Sequence, residues 1–187
     1  MDVGILLGDV CQNRESHKLA LELEEQLNLQ AKHRAYMIDL ADYGWPCDVP
    51  EAMTNTLEGC QGFIFVTQQH QHSYSTAIKP VLSVFHDTFA GKPVAVATCS
   101  NDQQYGFKAF TQLKLALADM GCYPLDEGLN LNMIGKRFDE ALQLNHKATE
   151  RQVKEFIEAF VWHSQGWLQR QLTLEQKGRR YQNVLPS

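Results

Sequence analysis

The sequence has little of what marks several large classes of protein. None of its apolar runs approaches the length needed to span a bilayer, and P-loop and nucleophile-elbow patterns are missing. The N-terminal segment carries no basic stretch and reaches Asp9 too soon for a signal peptide. Basic residues number 17 against 22 acidic residues, which argues against binding nucleic acid by neutralising its phosphates. We therefore expect neither a membrane nor a nucleic acid as a partner.

Cysteine is present but is not arranged in pairs. The five cysteines, scattered from Cys11 to Cys122, contain no CxxC spacing. An odd, dispersed set in a chain without a secretion signal indicates free thiols in a reducing compartment. We therefore expect a cytoplasmic protein.

Short apolar runs alternate with helical patterns along the 187 residues, a length that suits one domain. Strands are predicted at 3–8, 34–40, 62–67 and within 91–100, with a fifth, edge strand from 122–125, 129–134 or both. Helices are predicted from residue 16 onward and at 76–89, 107–120 and 149–172, the last opening on a capping-box spacing of Thr149 and Gln152. The breakers in 42–50 predict a loop.

Alternating strands and helices predict an α/β fold with a parallel sheet covered on both faces. Five strands in a chain of this length suit the flavodoxin-like three-layer sandwich, with strand order 2-1-3-4-5. We expect a single domain over 1–172 and a polar C-terminal tail over 173–187, where periodicity is lost.

In such a sheet, ligands bind at the carboxyl ends of the strands, beside the point where the winding reverses. The loops at 8–16 and 67–75 should therefore face each other across one crevice, which the loop at 100–106 should close. The second loop, TQQHQHSYS, contains no acidic residue, lysine or arginine and nothing apolar larger than Tyr74. We predict that this crevice is the functional site.

Three segments resemble the NADPH-dependent FMN reductase family. They are GDVCQNRESHKLA (8–20), TQQHQHSYSTAIKPVL (67–82) and FAGKPVAVATCSNDQQYGFKAFTQLK (89–114), with GKRFDEAL (135–142) as a weaker likeness further on. The resemblance runs in one consistent order from about residue 3 to about residue 168. It implies a flavodoxin-like fold, an FMN cofactor, NADPH or NADH as electron donor, and a homodimer or homotetramer. It also implies a small acceptor, such as a flavin, a quinone or an azo compound.

The resemblance implies a cofactor site made of three loops, with no catalytic side chain and no metal, since flavin itself carries the hydride. In the first loop, Gly8, Arg14 and Ser16 would hold the phosphate, while Asp9 and Cys11 stand where the family has a serine and an arginine. The other two loops would frame the ring. The site residues of all three loops are Gly8, Asp9, Cys11, Arg14, Ser16, Gln68, Gln69, His70, Gln71, His72, Ser73, Ser100, Asn101, Asp102, Gln103 and Gln104.

Asp9 leaves alternatives open at the phosphate end. Pointing into the anion site, its carboxylate would repel a phosphate by about 4 kcal/mol per pair of unit charges at about 4 Å and an effective dielectric of about 20. Turned away to pair with Arg14, it would leave the backbone amides and Ser16 for the phosphate. A purely structural alternative is an Asp9–Arg14 salt bridge and helix cap without any ligand.

The polar second loop also leaves alternatives open. Its amides and hydroxyls suit the polar edge of a flavin, but they equally suit a solvated loop in a protein that has lost the cofactor. A metal site at His70 and His72 is disfavoured because no acidic or cysteine partner lies near them in sequence. Two functions are therefore carried forward: an NAD(P)H-dependent FMN reductase-like flavoprotein, and a non-catalytic or repurposed binding protein with lost or weakened FMN binding.

Overall fold

A computed structural model of the chain describes residues 1–11, 14–30, 32–43, 51–101, 106–139 and 142–182. Its strands are β1 (Asp2–Leu7), β2 (Arg34–Asp39), β3 (Gly62–Gln68), β4 (Pro93–Cys99), β5 (Tyr123–Pro124) and β6 (Leu129–Leu131). Its helices are α1 (Ser16–Asn28), α2 (Glu51–Gly59), α3 (Ile78–Val84), α4 (His86–Phe89), α5 (Phe107–Asp119) and α6 (Lys147–Gln182). Short 3-10 turns lie at Leu40–Tyr43 and Ile134–Lys136.

The strands form one parallel sheet in the order β2-β1-β3-β4-β5. This order confirms the predicted flavodoxin-like winding. β6 is an additional strand that pairs in parallel with the end of β4, whereas β5 pairs with the start of β4. Both segments considered for the fifth strand are therefore used, and together they form one edge of the sheet.

Apolar side chains on both faces of the strands explain why the sheet lies between two layers of helices. Along β3, Phe63 and Phe65 belong to one buried cluster, and Ile64 and Val66 belong to the other. This division follows from the alternation of side chains along a strand. The first cluster includes residues of α2, α3, α4 and α5, and the second includes residues of α1 and α6. A central parallel strand buried on both faces has to be apolar throughout.

The helices on the Phe63 face differ from the predicted ones in two respects. The helix predicted over 76–89 is divided into α3 and α4 at Phe85, whose φ of −103° and ψ of 27° leave the helical region. The Phe85 ring is buried and lies against Phe89, with 6.4 Å between the ring centroids. α2 was not predicted; it contributes Met53 and Leu57 to the same cluster. Residues 44–50 of the predicted loop lie outside the described residues.

The C-terminal helix is longer than predicted. α6 continues to Gln182, so the expectation of an irregular segment after residue 172 is wrong up to that point. The apolar face that ties the helix to the domain is formed by Val153, Phe156, Ile157 and Phe160, all buried. The boundary between domain and tail stays a prediction.

The start of α6 also differs from the prediction. Thr149 lies inside the helix, and its hydroxyl accepts a hydrogen bond of 2.7 Å from Nη1 of Arg137, so the predicted capping box is wrong. His146 precedes the helix and accepts the N–H of Ala148 with its ring Nδ1 at 3.3 Å. The Thr149 hydroxyl thus bonds to Arg137, which precedes α6, and not to a backbone N–H of the first helical turn.

We predict that Gly8→Ala destabilises the protein by roughly 1–3 kcal/mol, because a Cβ at this position would lie 2.4 Å from two atoms of the Ile78 side chain. Urea unfolding of the variant measures the change. In an Ile78→Ala background, which removes the two atoms that the added methyl would meet, Gly8→Ala should cost less stability than it does in the parent protein. Gly59→Ala is the matched control, since nothing lies within 4 Å of its added Cβ. An unchanged stability of Gly8→Ala would contradict this packing.

We predict that Glu22→Gln raises the melting temperature at pH 7. Glu22 is buried on α1, and burial raises the pKa of its carboxyl above the ordinary 4.5, so the folded state holds this proton more tightly than the unfolded state. The charge therefore costs stability as the pH rises through the folded pKa. The Gln26 amide, which donates to Glu22 Oε1 at 2.9 Å, can donate equally to a glutamine.

Thermal melts from pH 4 to pH 8 test this expectation. The difference between Glu22→Gln and the parent protein should vanish below about pH 4.5 and grow as the pH rises. Glu58→Gln makes the same charge change at an exposed position of α2 and serves as the control. A gain that is equal for both variants would mean that the burial of Glu22 does not matter.

Candidate functional site

The predicted site lies at the carboxyl ends of β1, β3 and β4, where three loops begin side by side. The N–H of Gly8 donates to the carbonyl of Val66 at 2.8 Å, and the N–H of Gln69 donates to the carbonyl of Cys99 at 3.0 Å. These bonds extend the sheet by one step, so the loops at 8–16, 67–75 and 100–106 start as neighbours. Of these loops, residues 12–13 and 102–105 lie outside the described residues.

Asp9 points its carboxylate into this junction and is only 1% exposed. Its Oδ2 accepts the hydroxyl of Ser16 at 2.5 Å and the backbone N–H of Gln68 at 2.9 Å. Its Oδ1 lies 3.1 Å from Nε2 of His70. The carboxylate therefore joins the first loop to the second, through contacts that include the Ser16 hydroxyl expected to hold a phosphate.

Arg14 is engaged elsewhere. Its Nη1 donates to Asp39 Oδ1 at 2.6 Å and its Nη2 donates to Asp39 Oδ2, a fork that ties the first loop to the end of β2. Nη1 also donates to the backbone carbonyl of Asp9 at 2.6 Å. The proposed salt bridge between the Arg14 and Asp9 side chains is therefore wrong. The helix-cap alternative is wrong too, because the N-cap of α1 is Glu15 and no side chain caps it.

The second loop contains a tight turn over 70–73. The backbone N–H groups of His70 and Ser73 each donate to the other residue's carbonyl, at 2.9 and 2.8 Å. Gln71 and His72 between them have φ values of 44° and 67°, as in a type I′ turn. His70, Gln71 and His72 are exposed. The turn is thus a short polar projection above the crevice.

Side chains of α5 hold this turn in place. The hydroxyl of Ser73 donates to Oε1 of Gln112 at 2.6 Å, and Nζ of Lys108 lies 3.3 Å from Nδ1 of His72. The Gln69 side chain reaches the same helix, where its Oε1 accepts the N–H of Ala109 at 3.4 Å. The second loop is therefore anchored to both the first loop and α5.

The remaining predicted site residues occupy several environments. Gly8 serves close packing against Ile78, and Cys11 is exposed with a free thiol. Ser100 is buried, its N–H donating to Leu131 and its carbonyl accepting from Ile134. Asn101 is exposed beside it. The predictions at Asp102, Gln103 and Gln104 fall outside the described residues.

Sequence reasoning missed Asp39, which holds Arg14. A signal was present, because the order 2-1-3 brings the end of β2 beside the first loop, and the predicted strand at 34–40 carries this acidic residue at its end. Gln112 and Lys108 were also missed. Their signal is weaker, since they lie on one face of α5 and only the fold brings them to the turn.

The buried thiol of Cys99 lies in a negatively charged part of the junction. Cys99 is fully buried, and its pKa is raised mainly by burial, with the charges of Asp9 and Glu15 adding to the effect. The thiol therefore stays protonated and is unsuited to nucleophilic chemistry. Among the described residues, no group of three or more His, Cys, Asp or Glu side chains is placed to hold a metal. No helix within those ranges is long and apolar enough to cross a membrane.

Comparison with known proteins decides the family. The model of the NADPH-dependent FMN reductase family matches residues 1–134, which contain all three loops. The chain belongs to this family. The resemblance seen further on, at 135–142 and toward residue 168, lies beyond the matched region and stays a prediction. No curated protein sequence matches this reductase-family chain.

Solved structures support the fold of this family member. It is similar to FerB, a flavoenzyme NAD(P)H:(acceptor) oxidoreductase from Paracoccus denitrificans, with a TM-score of 0.72, 18% identity and coverage of 90% of this chain and 97% of FerB. An apo NADH:FMN oxidoreductase, EMOB, has a TM-score of 0.71 and 17% identity, with coverage of 85% of this chain and 87% of EMOB. A flavodoxin variant from Pseudomonas aeruginosa has a TM-score of 0.59 and 17% identity, with coverage of 86% of this chain and 99% of the flavodoxin.

The FMN phosphate does not fit at the Ser16, Arg14 and Gln68 donors as this member of the family arranges them. The hydroxyl of Ser16 and the N–H of Gln68 already donate to Asp9, and the guanidinium of Arg14 is held by Asp39. A phosphate at these donors would also lie against a buried carboxylate of the same sign. The mismatch concerns these donors alone, since residues 12–13 of the first loop and 102–105 of the third loop lie outside the described residues.

We predict that Arg14 and Asp39 are energetically coupled by about 1–3 kcal/mol in a double-mutant cycle of Arg14→Met and Asp39→Asn. Their side chains are 18% and 8% exposed, so the fork is poorly screened by water. Urea unfolding of the four proteins measures the coupling. The exposed pair Lys114–Asp126, cycled in the same way, should show a much smaller coupling. Equal couplings in the two cycles would contradict a structural role for the fork.

Proposed function

We propose that this protein is a flavin-dependent NAD(P)H oxidoreductase that reduces a small acceptor, such as a free flavin, a quinone or an azo compound. Membership of the NADPH-dependent FMN reductase family supports the reaction type. The observation that carries the proposal is the meeting of three loops at the carboxyl ends of β1, β3 and β4, where this fold binds its ligand. FerB and EMOB, similar in fold, are both named as oxidoreductases of NAD(P)H or NADH.

This proposal asks little of catalytic side chains. A flavin supplies hydride transfer when it is bound, and the protein contributes binding and orientation. We assign the ring edge to the loop at 68–73 and to residues 100–104. The tight turn at 70–73 supports this assignment, because its hydrogen bonds to α5 hold the polar side chains of this loop in a defined position.

A second candidate function is a non-catalytic or repurposed binding protein on the same scaffold. The contacts of Asp9 favour it, because they use the Ser16 and Gln68 donors that would otherwise hold a phosphate. The two candidates differ in one property: only the oxidoreductase consumes NADPH or NADH when flavin is present.

The nucleotide preference, the acceptor and the assembly remain predictions within this proposal. We propose a cytoplasmic homodimer or homotetramer, on the resemblance to the family alone. Size-exclusion chromatography with light scattering measures the assembly directly. A monomer at micromolar concentration would remove this part of the proposal while leaving the reaction in place.

We predict flavin-dependent oxidation of NADPH or NADH by the purified protein, measured as loss of nicotinamide absorbance with a quinone as acceptor. Asn101→Ala should lower the rate by about 3–10-fold, because Asn101 is exposed at the start of the third loop and one hydrogen bond to a ligand is worth about 1 kcal/mol. Asn55→Ala, an exposed change on α2, is the matched control. Protein that neither binds a flavin nor consumes either nucleotide would leave the second candidate.

A further inference from the structure

The buried carboxylate of Asp9 occupies the part of the crevice that a flavin phosphate would use. We propose that Asp9 is an internal substitute for that phosphate, and that the crevice takes a flavin without a phosphate, riboflavin, in preference to FMN. The choice of a flavin rests on the proposed function. The preference for an uncharged tail rests on the contacts of Asp9.

Two donors at this end of the crevice are already engaged by Asp9. Ser16, which is fully buried, donates its hydroxyl to Asp9, and the N–H of Gln68 donates to the same oxygen. A phosphate could reach them only by displacing the carboxylate. That exchange would strip a buried charge of its hydrogen bonds, which is costly in a protein interior. A ligand that leaves Asp9 in place avoids this penalty.

Arg14 of the first loop and Lys18 of α1 are also paired within the protein. Arg14 donates to Asp39 and to the backbone carbonyl of Asp9, and Lys18 pairs with Glu15 at 2.8 Å between Nζ and Oε2. A phosphate beside Asp9 would therefore meet a like charge while these cations stay with their own partners. The combined negative field of Asp9 and Glu15 also acts on Cys99 and contributes to the raised pKa of that thiol.

The tail of riboflavin suits this arrangement where the tail of FMN does not. Riboflavin ends its ribityl chain in a hydroxyl, which donates a hydrogen bond, whereas the phosphate of FMN is an acceptor with negative charge. A carboxylate accepts from a hydroxyl and repels a phosphate. On its Oδ1 side the carboxylate, 1% exposed, is covered by His70, whose own side chain is 44% exposed. A terminal hydroxyl would reach Asp9 by replacing this contact, and the carboxylate would then keep a donor at Oδ1.

Titration of the protein with riboflavin and with FMN, followed by quenching of flavin fluorescence, tests the proposal. The parent protein should bind riboflavin at least tenfold more tightly than FMN. Asp9→Ser should bind FMN at least tenfold more tightly than the parent does, because it removes the charge and frees the donors. Asp87→Ser removes the same charge from a fully exposed position and should leave both affinities within about twofold.

Asp9→Asn separates charge from volume, since the amide keeps the shape of the carboxylate. Its affinity for FMN should lie between those of the parent and Asp9→Ser. Thermal melts of each variant establish that it is folded, and the parent's own preference for riboflavin tests the proposal without any variant. Equal or tighter binding of FMN by the parent would overturn the preference, whether or not NADPH is consumed.

The two proposals fail in distinguishable ways. Binding of FMN in preference to riboflavin, together with flavin-dependent NADPH oxidation, overturns the role of Asp9 and supports the proposed function. Selective riboflavin binding without oxidation of either nucleotide supports the role of Asp9 and overturns the proposed function. A parent protein that binds neither flavin overturns both.

Discussion

The carboxylate of Asp9 is the contact on which the arrangement of the crevice depends. It is nearly fully buried, and it accepts hydrogen bonds from one residue of the first loop and one backbone amide of the second. Burying a carboxylate is tolerated only when its oxygens find donors, so Ser16 and the amide of Gln68 have to face it. The two loops that flank the reversal of the sheet's winding are thereby held by the protein's own anion, where relatives in the family are expected to hold a ligand.

Neighbouring contacts follow from this one. The Asp9 backbone carbonyl also accepts from Arg14, whose guanidinium fork extends to Asp39 at the end of β2. Ile78 packs against Gly8, immediately before Asp9, and so brings α3 against the start of the first loop. The turn at 70–73 is anchored separately, through Ser73 and Gln112 on α5. The result is a family scaffold with a solvent-facing polar turn at 70–73 and a first loop whose Asp9, Arg14 and Ser16 side chains are already paired within the protein.

The scaffold could be predicted from the sequence because its signals are local: apolar runs of strand length, glycine and proline breaks, and helical spacing. The role of Asp9 could not, because its partner Gln68 is 59 positions away and its neighbour Arg14 is drawn to Asp39, 25 positions away. The break at Phe85 was missed as well, because the apolar pattern of 76–89 runs through it without interruption. Local patterns established which loops meet, whereas long-range contacts decided which side chains are already engaged.

A crystal structure of the protein grown in sodium phosphate tests the central claim most directly. We predict that the Asp9 carboxylate lies within hydrogen-bond distance of Ser16 Oγ and the Gln68 amide, with Arg14 bound to Asp39 and no phosphate at these donors. A phosphate ion bound to Ser16 and Gln68, with the Asp9 side chain turned out toward solvent, would contradict it.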